Sequence, residues 1–197
     1  MRELLEPGCV YHIYNHAVGN DKLFLSDDNY FYFLRRYQHF ISPVAETYAY
    51  CLMSNHIHFL IEVKNPVQIP AESKYSESQF VSKQFSNLFS SYSQAFNKQQ
   101  NRMGNLFISN FKRSKIETDE YLTHVIRYIH LNPVNHGVVK DVSKWKFSSF
   151  NIILSDQETF LAREKVLEWF GGVGEFKRYH QSGLPGQLPE SLKLSGS

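Results

Sequence analysis

Residues 55–63 read NHIHFLIEV, with His56 and His58 on either side of one isoleucine in a stretch that alternates like a β-strand. Side chains of a strand alternate between faces, so His56, His58, Leu60 and Glu62 share one face. Ile57, Phe59, Ile61 and Val63 take the other, which is expected to meet a helix-covered core. At ~3.3 Å per residue the two imidazoles stand ~7 Å apart at Cα, close enough to converge on one metal ion at ~2.1 Å from each nitrogen. By the same rise Glu62 lies roughly 13 Å from His58, so a third ligand has to come from elsewhere. The plainer reading of the pair is two half-exposed histidines on a strand.

A second polar set lies further along. Tyr121, His124, Tyr128 and Asn132 fall on one narrow stripe of a helix, beside an apolar face of Leu122, Val125, Ile126 and Ile129. Tyrosines at a core boundary explain such a stripe without chemistry; a phenol, an imidazole and an amide beside a metal site would explain it with chemistry. Charge gives a third signal. Between Ser78 and Ile116 there is no Asp or Glu, while Lys83, Lys98, Arg102, Lys112, Arg113 and Lys115 supply +6. The whole chain carries only +2, so the remainder sums to −4. A local basic block on a near-neutral protein suits one anionic surface, unless it is only a solvated face.

The elements that must position these residues follow from periodicity. CVYHIYNHAV (9–18) reads as a strand, and Ser26-Asp27-Asp28 as the start of a helix. AETYAYCLM and HIHFLIEV form a hairpin across Ser54-Asn55, and residues 64–78 form a loop. Val81, Phe85, Leu88, Tyr92 and Ala95 mark an amphipathic helix over 79–98. Residues 106–117 are expected to be a strand. The helix capped by Thr118 or Asp119 is expected to stop near Asn132, because Pro133 disfavours helical geometry in its predecessor. The order β-α-β-β-α-β plus one helix predicts an α+β, ferredoxin-like core with an antiparallel sheet and an extra helix. A catalytic-type domain is expected over 1–151. Two short helices between 152 and 181, and a loose Gly-, Pro- and Ser-rich tail over 182–197, make up the remainder.

Cys9 and Cys51 lack metal-ligand spacing and read as buried thiols of a reducing compartment. No run of ~18 apolar residues occurs, and no signal-like stretch opens the chain. These features lead us to expect a soluble, cytoplasmic protein. No Walker loop, Gly-rich dinucleotide turn or zinc cysteine pair is present, nor the aromatic signature of RNA-recognition domains.

The segment AYCLMSNHIHFLIEV resembles the signature strand of HUH single-tyrosine transposases. GNLFISNFKRSKIETDEYLTHVIRYIHLNPVNHGVV resembles the second half of the same domain, closest to the REP-associated tyrosine transposases. The resemblance runs from about Tyr11 to Phe150, and RYIHLNPVNHG is its most specific tract. It implies Tyr128 as the nucleophile, and His56, His58 and Asn132 as ligands of a divalent ion, Mg²⁺ or Mn²⁺. Asparagine departs from the more usual glutamine or carboxylate. It also implies cleavage of single-stranded, hairpin-containing DNA through a 5′-phosphotyrosine that leaves a free 3′-hydroxyl. Lys98, Arg102, Lys112, Arg113 and Lys115 would then track the phosphate backbone. A homodimer remains open, as does a non-catalytic nucleic-acid-binding module of the same fold.

Overall fold

The computed structural model describes residues 3–181. Its sheet holds four strands, β1 (Val10–His16), β2 (Ala45–Leu52), β3 (His56–Val63) and β4 (Lys112–Ile116), in the order β2-β3-β1-β4. Every neighbouring pair is antiparallel. With α1 (Asp27–Ile41) between β1 and β2, and α2 (Glu77–Gln100) between β3 and β4, this is the ferredoxin-like plan.

Both crossover helices cover one face of the sheet. Tyr37 of α1 stacks on Phe59 with ring centroids 4.1 Å apart, and Phe33 meets Tyr92 of α2 edge-on at 5.1 Å. Such pairs add about 0.5–1.5 kcal/mol each beyond the area they bury. The buried Tyr37 hydroxyl is satisfied by Thr47 Oγ1 at 2.8 Å. Ser26 is the N-cap of α1, where Asn29 Oδ1 accepts from the amides of Leu25 and Ser26, while Ser76 caps α2 in a reciprocal arrangement with Gln79.

The opposite face carries α3 (Asp119–Asn135), which lies mainly against β2 and reaches β3 and β4. Val125, Ile126 and Ile129 are fully buried there and Leu122 nearly so. The helix does not stop at Asn132. It runs through Pro133 to Asn135, because a proline this near the end removes a single ladder hydrogen bond. Gly137, at φ 67°, then turns the chain while its amide and that of Val138 take the carbonyls of Val134 and Pro133.

The strand expected over 106–117 is also shorter, and only Lys112–Ile116 pair with β1. Asn110 sits at φ 68°, outside the extended backbone that strand pairing needs. The 104–111 segment instead wraps the end of β1 through Val18 N to Leu106 O and Ile108 N to His16 O.

Beyond α3, a short 3₁₀ turn (Val142–Lys144), α4 (Phe150–Ile153), α5 (Arg163–Phe170) and α6 (Val173–Gln181) wrap the β2 side. Val166, Phe170 and Phe176 join the same hydrophobic core as the sheet. A buried polar chain ties α6 to α3. His180 Nδ1 donates to Phe176 O at 2.8 Å, so its Nε2 must accept from His130 Nδ1, also at 2.8 Å. His130 Nε2 then accepts from Ser149 Oγ at 2.7 Å, and Ser149 Oγ accepts from Tyr50 N at 2.8 Å. The tail expected over 182–197 lies outside the described residues.

Candidate active site

His56 and His58 do share a face, the one away from α1 and α2. That face is not open, however, because α3 covers it: His56 is 3% exposed and His58 0%. They are therefore buried polar groups needing partners, and each has one on both ring nitrogens. His56 Nε2 lies 2.7 Å from Asn132 Oδ1, and His58 Nε2 lies 3.3 Å from Asn132 Nδ2. One side chain on α3 thus faces both Nε2 atoms across 76 and 74 residues of sequence. On the far sides, His56 Nδ1 meets Asn55 Oδ1 at 2.8 Å and His58 Nδ1 meets His12 Nε2 at 2.9 Å.

A divalent ion fits this set. Its donors would be the two Nε2 atoms and Asn132 Oδ1, the oxygen lying 2.7 Å from His56 Nε2 while the amide NH2 faces His58 Nε2. His56 also has an acceptor oxygen on each side, while a neutral imidazole owns one N–H. Burial, the largest influence, holds His56 down at about 4, so a second proton does not fill that contact at neutral pH. A cation between Nε2 and Oδ1 would. His58 is held well below the usual imidazole range, first by burial and then by His12 and His56. Both rings are thus kept neutral, the form that ligates metals. The third donor is an amide; among the described residues no three His, Cys, Asp or Glu side chains converge as an ion site.

Tyr128 is half-buried one turn before Asn132, with its ring 5.6 Å from that of His58 and nearly perpendicular to it. Burial, reinforced by Tyr14, pushes its phenol up to about 12, although a hydrogen bond with Asn132 pulls the other way. Tyr121, on the same stripe, is 38% exposed, and His124 is bonded to Tyr179.

The basic residues separate. Lys112 shares the histidine face, since it pairs with Tyr14 in a register that sets Tyr14 opposite His58. Arg113 and Lys115 lie on the α1/α2 face. Arg113 donates to Ser82 Oγ at 2.9 Å and sits over the Phe111 ring, and Lys115 pairs with Glu6 at 2.6 Å. Arg102 is paired with Asp21, and Lys98 is exposed near the end of α2. Neither belongs to the histidine site.

A protein of Haemophilus influenzae named as a REP-associated tyrosine transposase is 31% identical over 107 residues, 54% of this chain and 59% of the relative. The chain is thus similar in sequence to a protein named as a REP-associated tyrosine transposase. The Escherichia coli protein of that name is 36% identical over 73 residues, 36% of this chain and 40% of its own length. The chain therefore spans less than two thirds of these curated relatives. A solved structure of a REP-associated tyrosine transposase bound to a REP hairpin superposes with a TM-score of 0.57 at 19% identity. That superposition covers 79% of this chain and 85% of the other, so the fold is shared. No protein-family model matches the chain.

Some residues of this site escaped sequence reasoning. His12 and His16 stand on β1 beside β3, with His16 directly opposite His56 and its ring stacked at 5.1 Å. His136, just past α3, brings its ring within 5.0 Å of His56. The period-two spacing of His12, Tyr14 and His16 was a usable signal.

Proposed function

We propose that the chain cleaves and rejoins single-stranded DNA carrying a hairpin, using Tyr128 as nucleophile. The observation that carries this reading is the convergence of Tyr128, His56, His58 and Asn132 from two distant segments onto one buried spot. Tyr128 Oη attacks the phosphorus, the bond from phosphorus to the 3′ oxygen breaks, and the 3′-hydroxyl leaves with a proton. The 5′-phosphotyrosine stores that bond, so a returning 3′-hydroxyl can reverse the step without a nucleotide cofactor. His56, His58 and Asn132 would hold a divalent ion, Mg²⁺ or Mn²⁺. Bound there, it supplies Lewis-acid polarisation of the scissile phosphate.

The residues themselves set the starting state. A phenol held near 12 rests protonated, so Tyr128 is inert until its proton is taken up. The α3 backbone places it one turn from Asn132, which fixes the distance between nucleophile and ion donors. Lys112, exposed at the sheet edge on the same face, is the cation of the basic block placed to meet a phosphate entering from that side. The known structure bound to a REP hairpin supports hairpin DNA as the substrate class.

Labelled hairpin DNA with a single-stranded flank, incubated with Mn²⁺ and run on a denaturing gel, tests the reading. A shifted covalent protein–DNA band that vanishes in Tyr128→Phe is expected. Binding without any adduct, with Mn²⁺ or Mg²⁺, would instead assign the chain to non-catalytic nucleic-acid binding.

A further inference from the structure

His12 stands out among the buried polar groups because half of it is unsatisfied. It is 0% exposed, its Nε2 lies 2.9 Å from His58 Nδ1, and its Nδ1 has no hydrogen-bond partner among the described residues. The two rings are 16° from coplanar with centroids 5.1 Å apart. That separation is what a nitrogen-to-nitrogen bond lying in both ring planes leaves, so the lone pair of one imidazole meets the N–H of the other head-on.

A residue kept only to fill space under α3 would not be chosen this way. An apolar side chain fills the same volume without leaving Nδ1 stranded in a dry site. What His12 supplies, and an apolar residue cannot, is an in-plane partner for the far side of His58. Asn55 does the same for His56, through an oxygen 2.8 Å from Nδ1. Each histidine is therefore held on Nδ1, and each presents Nε2 to Asn132.

We propose that His12 is a positioning residue, which accepts the Nδ1 proton of His58, fixes its tautomer and ring plane, and so keeps His58 Nε2 unprotonated and able to act as a metal donor. The proposal rests on the metal-dependent reading of the site given above. His12 does not touch the ion. Its own Nδ1 carries the proton that Nε2 lacks, which is why the unmatched atom is a donor in a pocket walled by the rings of Tyr14 at 5.0 Å and Tyr128 at 6.1 Å. Outer partners of this kind typically tune metal affinity 10- to 100-fold.

The test uses the full chain, His12→Phe, which keeps the ring volume without nitrogen, and His12→Gln, whose amide oxygen can replace the acceptor. Long-range ¹⁵N–¹H spectra of the metal-free wild type should show His58 protonated on Nδ1 and bare on Nε2. Titration with Mn²⁺ alone, followed by electron paramagnetic resonance, should give a Kd raised about 10- to 100-fold in His12→Phe and largely restored in His12→Gln. The wild-type tautomer needs no variant, so the proposal stays testable even if His12→Phe fails to fold. His58 protonated on Nε2 overturns it. So does a His12→Phe chain that binds Mn²⁺ as the wild type does, and the metal reading survives that outcome. A wild type that binds no Mn²⁺ removes the metal reading, and the proposal with it.

Discussion

Acid should loosen the join between α6 and α3 in a way that one residue reports. His180 is 3% exposed, and burial is the main cause holding its imidazole down to about 4 from an ordinary 6.5. The folded ring binds a proton less readily than the unfolded one, so the unfolded chain gains protons first as the pH falls. Stability is thus complete above about 6.5 and is lost between there and about 4. At ~1.4 kcal/mol per tenfold in proton affinity, His180 alone withdraws about 2 kcal/mol by pH 5 and about 3 by pH 4. His180→Gln does not titrate and keeps an oxygen that can accept the His130 N–H. Urea unfolding of both chains at about pH 7.5 and about pH 5 measures the difference, with His130 present in each. The wild type should lose about 2 kcal/mol more than the variant over that interval. If the two chains lose the same amount, His180 is already protonated or solvated in the folded protein, and the buried chain drawn here is wrong.

Further outcomes are expected at the site. Tyr128→Phe should bind hairpin DNA as the wild type does and form no covalent adduct; unchanged cleavage would move the nucleophile to another hydroxyl, Tyr121 first. His56→Ala and His58→Ala should lose Mn²⁺ binding and also about 1–3 kcal/mol of stability in urea, because each strands buried partners. A full-stability variant would mean that α3 does not cover these rings. Lys112→Ala should flatten the log–log salt dependence of single-strand binding by ~0.7, the value of one phosphate contact, while Lys115→Ala, already paired with Glu6, should leave the slope unchanged. Equal effects from the two would refute the division of the basic block between faces.

The parts of this fold that were legible in the sequence are those that repeat locally. Period-two alternation put His56 and His58 on one face, and the 3.6-residue period put Tyr128 and Asn132 on one stripe. The separate resemblance linked those two segments, and the contacts between Asn132 and both histidines give the link a geometry. What was not legible depends on register between distant strands. His12 reaches His58 only because β1 pairs with β3, 46 residues away, and no local pattern encodes that offset. The closure of α3 over the histidine face was missed for a related reason. An alternating strand shows which residues face together, but not which helix will dock on them. Pro133 and the 106–111 loop were misread because single-residue preferences gave way to their surroundings. One lost backbone bond is tolerated in a last turn, and the left-handed backbone at Asn110 separates the 106–109 stretch from β4.

The burial of His56 and His58 beneath α3 also has a kinetic meaning. Were a divalent ion held there as proposed, it would leave or enter when the helix lifts. Its exchange rate would then be set by the opening of α3 rather than by the strength of the bonds to it. Slow ion release and slow amide-hydrogen exchange along Val125–Ile129 would rise and fall together, and a substitution that loosened the α6 clamp on that helix would quicken both.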